Sequence, residues 1–389
     1  MEQVVADERT ARAAWSGLVE PGDDVAGTLI ATLGASDAWN RLTAAVRGGL
    51  DDDGVVAGVR ALLPDASAGA AARLERAVRR WAPRLGRPAP TGATGVRVVV
   101  PGDDDWPAGL DDLGPCAPPC LWVRGEVRAV RGTVAIVGSR AATTYGERVA
   151  YDLAAGAADA GLLVVSGGAY GIDAAVHRGA HARPGGTLVV LAGGVDRSYP
   201  SGNASLFEAV LSAGGALVSE VPPGALPTRS RFLQRNRLIA AIGAACVVVE
   251  AAWRSGALST AHHAERLLRP VGAVPGPVTS MASAGCHRLL REGVAVCVTD
   301  GAEVVELAGA IGPDAVPAVE DVRRPTDGLD EVGRRVLDAL GTRVARSSQD
   351  VAQAAGLGVA ETLGAFGLLE LEGLAEREGK GWRRSSKMT

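Results

Sequence analysis

Thr133-Val134-Ala135-Ile136-Val137-Gly138-Ser139-Arg140 decides the fold. Five β-branched or apolar residues, with no polar alternation, describe a strand covered on both faces; glycine, serine and arginine then break it. Working outward, runs at 162–165, 187–191, 216–219, 246–249 and 271–274 have the same character. Ala-rich helical segments, such as 147–160 and 172–182, separate them. Strand and helix therefore alternate from 96 to about 310. The pattern predicts an α/β fold with a Rossmann-like, doubly wound, mostly parallel sheet.

The flanks differ. Residues 1–84 read as a helical domain (56–63 and 70–81 are the clearest helices), and 85–95 as a linker rich in Gly and Pro. The turn Val19-Glu20-Pro21-Gly22-Asp23 is acidic and lacks the G-x-G hairpin of DNA-binding helix-hairpin-helix modules. A second linker covers 311–328. Helices at 331–340, 348–355 and 360–371 follow, then a hairpin of 373–378 and 382–384 around Gly379-Lys380-Gly381. That order predicts a winged-helix domain over 329–389. Its last helix carries Glu361 and Glu370 and no basic residue, which disfavours reading of a duplex groove.

Net charge is −4 and the isoelectric point near 5.8, which excludes a uniformly basic binder but leaves room for a confined basic groove. Every basic residue except Lys380 and Lys387 is arginine. Five scattered cysteines form no disulfide framework, and Cys116 and Cys120 lack a second ligand pair for zinc. The charged N-terminus has no apolar leader, and no apolar run reaches the ~18 residues of a membrane span. The expectation is a cytoplasmic protein with no membrane partner.

Chemistry should sit at the carboxyl ends of the strands, where strand order reverses. Those ends carry Gly138-Ser139-Arg140, Ser166-Gly167-Gly168-Ala169-Tyr170-Gly171, Gly193-Gly194 and Glu250-Ala251-Ala252-Trp253-Arg254-Ser255-Gly256. Backbone N–H groups freed by glycine beside helix N-termini favour phosphate. The G-x-G-x-x-G fingerprint with its distant acid is missing, as is a Walker A loop, so no cofactor is expected. Pro184-Gly185-Gly186-Thr187 precedes a strand and lacks the second Gly-Thr and the Glu of nucleotide phosphoribohydrolases. His177 and His181 share a helix face without a third ligand nearby, and no metal site is expected. Glu250 is the carboxylate to suspect if the chain were a hydrolase. The richest segment is Arg229-Ser230-Arg231-Phe232-Leu233-Gln234-Arg235-Asn236-Arg237, with four arginines, no acid and one of three phenylalanines. Arginines for a backbone and an aromatic for a base are what single-strand binding requires. The same string equally describes a solvated basic helix start with Phe232 turned into the core.

Six co-linear motifs resemble the DNA-processing protein DprA (Smf) family over roughly 96–307. They are Val134-Ala135-Ile136-Val137-Gly138-Ser139-Arg140, Tyr145-Gly146, Ser166-Gly167-Gly168-Ala169-Tyr170-Gly171-Ile172-Asp173, Phe232-Leu233-Gln234-Arg235-Asn236-Arg237, Arg254-Ser255-Gly256-Ala257-Leu258 and Ala273-Val274-Pro275-Gly276. The resemblance implies a non-catalytic, homodimeric single-stranded DNA-binding protein. It would help load RecA recombinase during natural transformation and displace or bypass single-strand-binding protein. Carried over residue by residue, the binding set is Gly138, Ser139, Arg140, Ser166, Gly167, Gly168, Tyr170, Arg229, Phe232, Arg235, Asn236, Arg237, Ser255 and Gly256. Three positions depart from the family pattern: Leu233 stands where Pro is common, Tyr170 where Arg is common, and His287 where Asn is common. The rival readings are a nucleotide or phosphoribosyl hydrolase using the same edge, and a transcription factor acting through the winged helix.

Overall fold

The computed structural model describes residues 7–47, 67–85, 93–127, 131–309, 314, 328–342 and 344–385. The chain divides into two compact units, Met1–Val316 and Pro317–Thr389.

In the larger unit a nine-stranded sheet is built from β1 (Val96–Val99), β2 (Leu121–Gly125), β3 (Thr133–Val137), β4 (Leu163–Gly167), β5 (Thr187–Leu191), β6 (Ala216–Ser219), β7 (Ala245–Val248), β8 (Val271–Ala273) and β9 (Val296–Cys297), in the order β1-β2-β6-β5-β4-β3-β7-β8-β9. The seven strands from β6 to β9 are parallel, and β1 and β2 add an antiparallel edge. The chain leaves β3 toward β4, β5 and β6, then crosses back to β7 on the other side of β3. This reversal opens a crevice at the carboxyl ends of β3 and β7.

Both faces of the sheet are covered, as the unalternating strands require. Val134 and Ile136 of β3 pack with Leu153 of helix Thr144–Asp159 and Val176 of helix Ile172–Ala180. Ala135 and Val137 point the other way, into a core with Leu238 and Ile239 of helix Arg229–Ile242 and Leu258 of helix Gly256–Arg266. The six expected strands appear as β3 to β8, to within one or two residues at the ends, whereas β1, β2 and β9 were not among the expected runs. β4 runs on through Ser166-Gly167 because Gly167 still pairs with Val190 of β5.

Among the described residues, four N-terminal helices belong to the same unit: α1 (Glu8–Leu18), α2 (Asp24–Leu33), α3 (Ala35–Arg47) and α4 (Ala68–Trp81). In chain order the sheet helices are α5 (Thr144–Asp159), α6 (Ile172–Ala180), α7 (Ala204–Ser212), α8 (Arg229–Ile242), α9 (Gly256–Arg266), α10 (Ala284–Arg291) and α11 (Gly301–Ala308). The N-terminal group closes around Trp15, whose ring meets Trp39 and Trp81 edge-on at 5.7 and 5.5 Å. Asp7, Asp23 and Ser67 accept from first-turn amides and so satisfy helix starts. The group is tied to the sheet by Trp122 Nε1 donating to Ser16 Oγ (3.0 Å) and by Arg9 pairing with Asp103. The helix expected at 56–63 lies outside the described residues.

The smaller unit contains α12 (Glu331–Ala339), α13 (Ser348–Ala355), α14 (Val359–Leu371) and a hairpin of β10 (Ala375–Glu378) and β11 (Gly381–Arg384). An antiparallel bridge joins Arg346 to Trp382, and the Trp382 ring stacks on Phe366 at 4.5 Å. α14 turns Phe366 and Leu369 inward and leaves Val359, Leu363, Leu368 and Leu371 exposed. Among the described residues no single helix is long and apolar enough to cross a membrane; α13 and α14 are so only as a pair bent by 103°.

Candidate nucleic-acid interface

The β3–α5 loop, residues 138–143, is held from three sides. Gly138 faces Ile172 so closely that a Cβ there would lie 2.6 Å from the isoleucine side chain. Gly171, at φ +72°, tucks against Ser139, whose carbonyl accepts from the Ile172 amide at 3.1 Å. Thr143 caps α5 and donates its hydroxyl to Glu250 Oε1 (2.6 Å), while its amide donates to Glu250 Oε2 (3.0 Å). Glu250, just past β7, thus fixes a loop on the neighbouring strand. The carboxylate most suspect for hydrolysis is buried and committed to that latch.

The next loop forms a floor. Ser166 is fully buried and donates to Ile136 O at 2.6 Å. Gly167 lies against Arg235 and Asp173, and Gly168 against Leu191 and Phe207. Asn203 Nδ2 donates to the carbonyls of Gly168 and Ala169, both at 3.0 Å. His177 spans from Thr187 Oγ1 (2.8 Å) to Gly167 O (2.7 Å), and burial pushes its pKa down to about 4. Both its ring nitrogens are engaged, and the described residues hold no group of three or more metal-ligating side chains. Ser166, Gly167 and Gly168 are thus packed among buried partners. Tyr170, from the same loop, is exposed and packs over Gly202.

Helix α8 divides its basic residues by helical phase. Thr228 caps the helix, Arg229 is exposed beside the cap, and Arg231 turns to Glu20 of the N-terminal group at 2.9 Å. Phe232 is half-buried. The Arg140 guanidinium lies over its ring at 4.6 Å, and Tyr199 packs beside it at 5.8 Å. Arg235 is buried and donates to Val190 O; burial lowers its pKa to about 10. Burial likewise raises the carboxyl pKa of nearby Asp173. Asn236 donates to Gly256 O at 3.2 Å and ties α8 to α9. Arg237 turns away from solvent. Its guanidinium meets both oxygens of Glu220 at 2.6 and 2.7 Å, with the side chains only 4% and 7% exposed. It is a buried ion pair and is not part of the cavity lining.

These loops enclose an open cavity of about 510 Å³ at the reversal point. Its walls include Gly138, Ser139, Arg140, Phe232, Arg235, Asn236, Arg254, Ser255, Gly256 and Thr260. Of the sequence-predicted set it gathers eight; Ser166, Gly167, Gly168, Tyr170, Arg229 and Arg237 are not among its lining. Gly256 opens onto free space, where a Cβ would meet nothing within 4 Å. The lining holds three arginines and one carboxylate, Asp173, so the cavity favours an anion. Arg254, Thr260 and Tyr199 were not singled out from the sequence. Arg254 could have been, as a cation beside Ser255-Gly256 at a strand end.

A sequence model of the family described as DNA recombination-mediator protein A matches residues 97–309. The chain belongs to this family, DprA/Smf. Among its DprA relatives, the Mycobacterium tuberculosis protein is 48% identical over 306 residues, covering 74% of this chain and 77% of that one. Protein Smf of Escherichia coli is 40% identical over 190 residues, 49% of this chain and 50% of the relative. The X-ray structure of DNA processing protein A (DprA) from Streptococcus pneumoniae superposes with a TM-score of 0.55 at 26% identity, covering 77% of this chain and 97% of that one. Every candidate binding residue lies inside the DprA match.

Proposed function

We propose that this DprA-family chain binds single-stranded DNA along the carboxyl edge of its sheet. It would do so without catalytic turnover, as a cytoplasmic homodimer that helps load RecA recombinase and relieves competition from single-strand-binding protein during transformation and recombination. One observation carries the DNA reading: Arg140 over the Phe232 ring at the mouth of an arginine-lined cavity. That stack holds the guanidinium at the cavity mouth, where it can meet a phosphate while its outer plane, backed by the ring, takes a base. The family's description as a recombination mediator supports the loading role. The commitment of Glu250 to Thr143 weighs against the hydrolase reading. We read 1–84 as an N-terminal helical domain, 96–310 as the DNA-binding domain and 329–389 as a winged helix, with 85–95 and 311–328 as linkers. The exposed side of α14 is apolar with two acids, which suits an auxiliary contact better than duplex binding.

The test is a gel-shift comparison of single-stranded and duplex DNA across salt concentrations, with wild type and Arg140→Ala. The expected result is preference for the single strand. Arg140→Ala should keep its melting temperature, bind more weakly, and lose about 0.7 from the slope of log affinity against log salt. Equal binding by a folded Arg140→Ala would remove this residue from the site. Turnover of nucleoside monophosphates by the wild type would overturn the non-catalytic reading.

A further inference from the structure

The β7–α9 loop carries a feature the DNA-binding set leaves out. Trp253 is 50% exposed, whereas Trp15, Trp81, Trp106 and Trp122 are buried. Its neighbours on either side, Ala252 and Arg254, line the cavity. The ring is backed on one side by the guanidinium of Arg288, whose Cζ lies 5.7 Å from the ring centroid. Arg288 is itself held, Nε to Glu292 at 3.4 Å and Nη2 to His262 Nε2 at 3.5 Å. A large aromatic is thus held in a loop whose flanking residues line the cavity, itself outside the lining and with much of its surface open to solvent. Exposing an indole forfeits the burial that normally favours it.

We propose that Trp253 is a second stacking platform, which takes a nucleobase of the single strand on the wall formed by the β7–α9 loop. Phe232 and Tyr199 serve the wall formed by α8 and the loop after β5. The strand then crosses the cavity between two aromatic rims, with Arg140 and Arg254 between them for its phosphates. Arg288 is a positioning residue that holds the indole from behind. This inference rests on the single-strand reading of the edge and extends it to a longer footprint.

The experiment titrates poly(dT) into wild type, Trp253→Ala, Trp253→Phe and Phe232→Ala. Wild-type tryptophan fluorescence should be quenched on binding, and the quench should vanish in Trp253→Phe, which retains most of the affinity. Trp253→Ala should bind about 5- to 150-fold more weakly, the span that loss of one stacked base implies. Its salt slope and melting temperature should be unchanged, since the ring neutralises no phosphate and fills no core. Normal binding by Trp253→Ala, beside weakened binding by Phe232→Ala, would overturn the platform alone. Failure of the wild type to bind poly(dT) would overturn the single-strand reading with it.

Discussion

Replacing Arg237 by methionine separates the arginines that hold α8 from those that face the cavity. Arg237 and Glu220 are both almost wholly buried, with nitrogen–oxygen distances of 2.6 and 2.7 Å. At an effective dielectric near 20, unit charges ~4 Å apart attract by ~4 kcal/mol. Methionine removes that attraction and strands the Glu220 carboxylate without its counter-ion, at a cost of ~3–5 kcal/mol. For a unit of this size the melting temperature should fall by roughly 5–8 °C. The double variant Glu220→Gln, Arg237→Met should recover most of the loss, because no buried charge is left unpaired. The assay is thermal melting by circular dichroism, paired with single-strand binding well below both transitions. Affinity per folded molecule should stay within about twofold of wild type, since Arg237 is not part of the cavity lining. A variant that melts normally but binds tenfold more weakly would refute the assignment and return Arg237 to the DNA surface.

Phe232→Ala should cost the fold only ~1–2 kcal/mol, below the ~3–5 of a fully buried Phe. It should cost binding ~1–3 kcal/mol with little change in salt slope; early melting with normal binding would make Phe232 a core residue. Deleting the chain beyond Val322 should leave single-strand affinity within a few-fold. A hundredfold loss with the sheet intact would make the C-terminal unit a principal DNA contact. Burial holds His177 neutral down to about pH 4, whereas the unfolded chain takes up its proton near 6.5. Its contribution is therefore complete above 6.5 and is lost as pH falls toward 4, by ~3 kcal/mol in all. Melting temperatures across that range should drop less steeply in His177→Gln, and an unchanged slope would remove His177 as the group responsible.

The sheet was legible because strands covered on both faces cannot alternate, and runs such as 133–137 and 187–191 show this without any neighbour. The reversal point was legible too, from glycine and hydroxyl loops that recur at strand ends. The basic segment resisted reading. In a string of nine residues Arg229, Arg231, Arg235 and Arg237 look alike. On α8 their directions differ, and each finds a separate environment: solvent, Glu20, the floor beside Gly167, and Glu220. The partners lie far off in sequence, Glu20 by 211 residues from Arg231 and Glu220 by 17 from Arg237. No local pattern announces them. Phe232 was ambiguous for a related reason, because a ring that forms a cavity wall is partly core and partly surface.

The latch between Thr143 and Glu250 also sets a schedule for the growing chain. Its two halves are separated by 107 residues, roughly 5–20 s of synthesis at ~5–20 residues per second. The loop bearing Arg140 therefore leaves the ribosome well before the strand end that steadies it. Until β7 has inserted beside β3, half of the cavity wall does not exist and the other half has no fixed aim.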